Sequence, residues 1–85
     1  MKPVVLVGHR HFCPLHGPNQ VESGSARYTF NGRPVARVGD RTTCGAVIES
    51  GAEHFLIEGA AVARIGDRTD HGGVLEEGDA GWMLD

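Results

Sequence analysis

GRPVARVGDRTTCGAVIESG, residues 32–51, lies over GAAVARIGDRTDHGGVLEEG, residues 59–78, at a constant offset of 27. The two copies share V-A-R, G-D-R-T and a closing glycine, and Cys44 of one falls on His71 of the other. The start of the chain is a third copy. PVVLVGHRHFC, from Pro3, lies over PVARVGDRTTC, from Pro34, at an offset of 31, which places Cys13 on Cys44. Beyond that position the first copy runs four residues longer before its closing Gly24, and the insertion holds Leu15, His16 and Gly17. After each closing glycine comes a short apolar segment, ARYTFN, EHFLIE or AGWMLD, in which Tyr28, Phe55 and Trp82 are equivalent.

A repeat of this length is one supersecondary unit that cannot bury its apolar side alone, so the copies must pack on one another. The copies run over about 1–31, 32–58 and 59–85 of a single domain, and the chain starts and stops where an inter-copy turn would fall. That pattern predicts a closed pseudo-threefold ring rather than an open stack. The apolar runs VVLV, VARV, VARI, AVIE, GVLE, YTF, HFLI and WML are short and bounded by Gly, Asn, Asp or Pro, which reads as strand. Glycine numbers 13 and aromatics make up 6% of 85 residues, leaving no uninterrupted run in which a helical period could build up. The expected fold is all-β, a small pseudo-threefold structure of three repeats with about nine short strands.

A single small core supplies only about 3–5 kcal/mol, so a staple is expected. Two cysteines could form a disulfide, but nothing in the sequence points to an oxidising compartment, and metal ligation is the better reading. In a threefold ring, equivalent side chains that point inward converge on the axis. Cys13, Cys44 and His71 are equivalent, and thiolate and imidazole are the donors that structural zinc takes, four at a time in a tetrahedron. His16, carried by the insertion, is placed to supply the fourth donor and close the site from the tip. His11, two residues before Cys13, is the alternative to Cys13 or to His16. A closed set of four is structural, because catalytic zinc keeps a position for water.

The repeated A-R-x-G-D element reads as a turn tied by a charge-assisted hydrogen bond, Arg37 with Asp40 and Arg64 with Asp67. Gly8, Gly39 and Gly66 supply the positive φ that such a turn needs. In the first copy Leu6 replaces the arginine and His9 the aspartate, so both partners are missing together. His9 is expected in a surface or turn role, and His54 facing solvent from a strand. A net charge of −3 leaves no basic patch for nucleic acid or an anionic membrane surface. MKPVVLVGHR has four consecutive apolar residues before a glycine, too short for a signal peptide or a membrane span, so synthesis in the cytoplasm is expected.

GRPVARVGD, the following CGAVI and the later DHGGVLEEG resemble the PAAR-repeat proteins that form the tip of the type VI secretion spike. The resemblance covers nearly the whole chain. It implies a small β cone with one zinc ion near its point, whose base caps the blunt end of a trimeric VgrG spike at one copy per trimer. Carried over, the family's H-G-G ligand falls on His71, its C-G-G ligand on Cys44 and its C-P-x-H pair on Cys13 and His16. A family ligand set of three His and one Cys would bring in His11 in place of Cys13. The family's usual order opens with the H-G-G copy, which here is last, so the chain looks circularly permuted. Many relatives carry a toxin domain after the tip, and this chain, ending four residues after Gly81, is expected to be a bare tip.

The implied role is mechanical and non-enzymatic. A monomer with no small-molecule substrate assembles in the cytoplasm, is exported by the secretion machine to the extracellular space or a target cell, and touches the target membrane only transiently. The other readings are a phage-type tail-spike tip, a stand-alone zinc-binding interaction module and a small zinc-dependent hydrolase. The hydrolase would need an open coordination position and a nearby carboxylate base.

Overall fold

The computed structural model describes residues 1–85. The chain is all-β, with nine strands and no helix, and extends over 29 × 23 × 23 Å. The strands are β1 (Lys2–Val4), β2 (Arg10–Cys13), β3 (Gly17–Gln20), β4 (Thr29–Phe30), β5 (Arg33–Pro34), β6 (Ala52–Ile57), β7 (Ala60–Val62), β8 (Val74–Leu75) and β9 (Asp79–Leu84).

The three copies meet in a closed ring of backbone hydrogen bonds between equivalent residues. Val5 N–H donates to Ala63 O at 2.9 Å, Ala63 N–H to Ala36 O at 2.9 Å, and Ala36 N–H to Val5 O at 3.0 Å. A second ring runs parallel to it, with Val7 donating to Pro34, Val38 to Ala61 and Ile65 to Pro3. These rings leave no open edge among the central segments, which is how a small β structure avoids unpaired backbone.

Alternation along the ring segments divides the core into two layers, because successive strand side chains point to opposite faces. Val5, Ala36 and Ala63 join Val21, Ile48 and Leu75 in one cluster, flanked by Val7, Val38 and Ile65. Val4, Leu6, Val35, Val62 and Ile57 form the other, flanked by Phe30, Trp82 and Leu84. Leu6 is buried where the other copies carry Arg37 and Arg64, so the first copy has exchanged an ion pair for apolar packing.

Three two-stranded ribbons hang from the second cluster, each joining the end of one copy to the start of the next. They pair β4 with β5, β6 with β7, and β9 with β1, all antiparallel. Their registers are equivalent, with Phe30 opposite Arg33, Ile57 opposite Ala60 and Leu84 opposite Lys2. Asn31 and Glu58 turn the first two ribbons with φ of 52° and 54°, each followed by a glycine at positive φ, the backbone pair of a tight hairpin turn. At the third ribbon the Met1 ammonium lies 3.6 Å from the Asp85 carboxylate.

The closing glycines are demanded by close approach. A Cβ on Gly24, Gly51 or Gly78 would stand 2.8, 2.8 or 2.9 Å from the carbonyl oxygen of Val35, Val62 or Val4, in each case the next copy around the ring.

The expected strand count holds, but the strands are not all where the apolar runs lie. The insertion in the first copy is the turn of a hairpin that no apolar run marks: residues 14–16 connect β2 to β3, with His11 opposite Asn19 and Cys13 opposite Gly17. AVIE, conversely, makes only single bridges, Val47 with Arg41 and Ile48 with Thr69.

Candidate metal centre

Each copy leaves the ring through the same turn. Gly8, Gly39 and Gly66 take φ of 95°, 97° and 92°. Asp40 Oδ2 accepts the Arg37 N–H at 2.8 Å and its Nε–H at 3.3 Å. Asp67 Oδ2 accepts the Arg64 N–H at 2.6 Å, and Asp67 Oδ1 accepts from Arg64 Nη2 at 3.1 Å. The duplicated Arg-Asp pair is therefore a turn fastener, as its repetition implied.

In the first copy His9 Nδ1 accepts the Leu6 N–H at 3.0 Å, replacing the aspartate oxygen. His9 is buried, which corrects the surface half of its expected role and keeps the turn half. Burial holds its imidazole below the usual histidine range, consistent with an Nδ1 that must stay unprotonated to accept. His54 is exposed on β6.

The turns are laced across copies. Ser23 Oγ donates to Asp40 Oδ1 at 3.2 Å and accepts the Arg41 N–H, while Ser50 does the same for Asp67 and Arg68. At the third joint Glu77 Oε1 takes the serine's place and accepts the Arg10 N–H at 2.9 Å. With three equivalent loops directed at one axis, their ends must converge.

They converge on Cys13, His16, Cys44 and His71, whose donor atoms all lie within 4.8 Å of one another. Cys13 Sγ is 3.4 Å from His16 Nδ1 and 3.8 Å from His71 Nδ1, and Cys44 Sγ is 4.0 Å from His71 Nδ1. A tetrahedron built on Zn–S and Zn–N bonds has edges of roughly 3.3–3.8 Å. The donor chemistry fits, the separations of 3.4 and 3.8 Å match such edges and the widest, at most 4.8 Å, would need to close by about 1 Å, and these four residues could hold a metal ion. The His16 and His71 rings stand 5.6 Å apart, tilted by 42°.

Burial pushes the Cys44 thiol up, but the Thr42 hydroxyl, 3.3 Å from Sγ, the Ala46 N–H, His71 and the Cys13 thiol outweigh it and bring it down to about 6. That favours the thiolate, the form a metal takes.

His11 lies outside this group. It is fully buried, its Nδ1 is 3.1 Å from Asn19 Oδ1, and its Nε2 is 2.9 Å from Thr69 Oγ1. Asn19 Nδ2 donates to Gly17 O, so its Oδ1 faces the imidazole as an acceptor and Nδ1 of His11 carries a proton. His11 is equivalent to Thr42 and Thr69, and together they form a buried layer beneath the four donors. The sequence did not expose this role, because Asn19 is supplied by a hairpin that reads as a loop and Thr69 lies 58 residues away.

At the other end of the molecule the equivalent aromatics are not alike. Tyr28 is 52% exposed and Phe55 41%, whereas Trp82 is half-buried, with ring centroids 5.6 Å from Phe30 and 5.3 Å from Phe55.

The geometry defines a class, a three-repeat β ring with a Cys2His2 cluster where its loops converge. The family described as PAAR motif matches residues 1–50, and the chain belongs to that family. The match takes in Cys13, His16 and Cys44, while His71 is contributed by the third copy, beyond it. The family is one of structural spike-tip proteins rather than enzymes. No curated protein matches the chain.

Proposed function

We propose that this protein is the tip of a type VI secretion spike, seated one copy per trimer on the end of VgrG and fastened at its own apex by one zinc ion. The observation that carries the reading is the closed ring of hydrogen bonds among Val5, Ala36 and Ala63. A monomer with three equivalent sides can match the three subunits of a trimer at once, which a chain without internal symmetry cannot do.

The two ends suit the two tasks. The ribbons around Phe30, Phe55 and Trp82 offer strand edges and apolar surface for docking, and aromatic anchors of this kind carry most of the affinity of protein interfaces. The apex has no apolar core of its own, since the layer beneath the donors is His11, Thr42 and Thr69. Zinc there would convert its binding free energy into folding free energy. Cys13, His16, Cys44 and His71 fill all four positions of a tetrahedral ion, so the site is structural and leaves no vertex for an attacking water. A rigid point of this kind serves to breach a membrane under the force of the contractile machine.

The test is to mix the zinc-loaded protein with trimeric VgrG and measure the mass of the complex by light scattering. One copy per trimer is expected. Three copies per trimer, or no complex, would overturn the capping role.

A further inference from the structure

Cys13 and Cys44 are the only cysteines of the chain, both are free, and their sulfurs lie within 4.8 Å across the boundary between the first and second copies. A disulfide has an S–S length of about 2.05 Å, so the sulfurs need to approach by no more than roughly 2.8 Å. Cys44 follows Thr43 in a turn and precedes Gly45 at φ 87°, so it sits on a short loop, whereas Cys13 ends a strand. Cys44 is half-buried and Cys13 fully buried.

We infer that the apex can be fastened in two interchangeable ways, by the metal under reducing conditions and by a Cys13–Cys44 disulfide after reaction with hydrogen peroxide. Cys44, the sulfur within reach of solvent, attacks the peroxide oxygen. The O–O bond breaks, hydroxide leaves, and Cys44 becomes a sulfenic acid. Cys13 thiolate then attacks the Cys44 sulfur, the S–O bond breaks, and a second hydroxide leaves with the S–S bond formed. Two electrons pass from the two sulfurs to one peroxide. The metal, left with His16 and His71 alone, is released.

The burial order sets these roles, because a sulfur that is reached first is oxidised first and a buried neighbour resolves it. The link would tie the first copy to the second at the position where the metal had tied them. The apex would then survive transfer from a reducing interior to an oxidising exterior, a passage that rests on the secretion role proposed above. The chemistry itself rests only on the sulfur pair.

The experiment treats the zinc-loaded protein with hydrogen peroxide and follows metal release with a chromogenic chelator, intact mass, and a non-reducing peptide map. Expected are one zinc released per chain, a metal-free mass two hydrogens lower, a Cys13–Cys44 peptide pair, and reversal by dithiothreitol with added zinc. The oxidised metal-free protein should melt about 10 °C or more above the reduced metal-free protein. Addition of two or three oxygens to Cys44 with no cross-linked peptide would overturn the inference, as would disulfides formed only between chains. In Cys13→Ser the resolving sulfur is gone, and Cys44 should proceed to the sulfinic acid; unchanged Cys44 mass there would contradict its assignment as the sulfur attacked first. Failure of VgrG to bind would leave these readouts unmoved, so the two readings fail separately.

Discussion

Gly51→Ala tests the ring at one of its joints. A methyl there would stand 2.8 Å from Val62 O, 3.1 Å from Ala61 O and 3.1 Å from Val38 Cγ2. Two of the three atoms are backbone, so no side-chain rotation relieves the contact. Moving the Ala61 carbonyl away strains the hydrogen bond it accepts from Val38 N–H, 2.8 Å long and part of the second ring. Overpacking costs about 1–3 kcal/mol and a weakened buried hydrogen bond about 1 more, so the loss should be roughly 2–4 kcal/mol. For a domain of this size that is a fall in Tm on the order of 10–25 °C. Calorimetry at fixed metal and protein concentration measures it, since both shift the apparent stability. Gly24→Ala and Gly78→Ala should cost about the same, because their contacts are 2.8 and 2.9 Å to the equivalent carbonyls. A Gly51→Ala protein melting within about 2 °C of the parent would mean that the joint has room for a methyl group and that close approach does not demand glycine there.

Three further outcomes follow from the turns and the apex. Asp67→Ala leaves the Arg64 guanidinium, only 14% exposed, without its carboxylate, and should cost about 3–5 kcal/mol in urea unfolding, against less than 1 for Arg10→Ala, whose pairs are exposed. His11→Ala should lower Tm while leaving metal content intact, whereas Cys13→Ser, Cys44→Ser and His71→Ala should lose metal as well; loss of metal from His11→Ala would place His11 among the ligands. Folded His9 titrates below its unfolded value of 6.5, so the unfolded chain binds the extra proton and stability falls as pH drops through about 6.5 toward the folded pKa. His9→Asp restores the residue of the other copies and should remove that loss, so Tm curves for the two proteins should diverge between about pH 7 and 5; parallel curves would contradict the acceptor role of His9.

How much of this was legible in the sequence differs from one element to the next. The offset of 27 residues carried the ring, because equivalent residues in a closed assembly must make equivalent contacts, and V-A-R together with the closing glycine are those contacts. The coincidence of Cys13, Cys44 and His71 at one repeat position carried three of the four side chains that cluster at the apex, and the insertion carried His16. The β2–β3 hairpin was not legible. Gly17-Pro18-Asn19-Gln20 has neither β-branched residues nor alternation, and β3 is held by its pairing to β2 and by Thr43, whose N–H donates to Gln20 O at 2.8 Å. Without that hairpin Asn19 has no place, and the choice between His11 and Cys13 stays open. His9 was misjudged for a related reason: the type of side chain changed while its task, accepting one backbone N–H, did not.

Three copies close into a ring, and we propose that one zinc ion fastens them on its axis. Elemental analysis of the protein, purified without added metal or chelator, tests it most directly. One zinc per chain is predicted, falling to none in Cys44→Ser. No metal in the parent protein, or two ions per chain, would contradict the account.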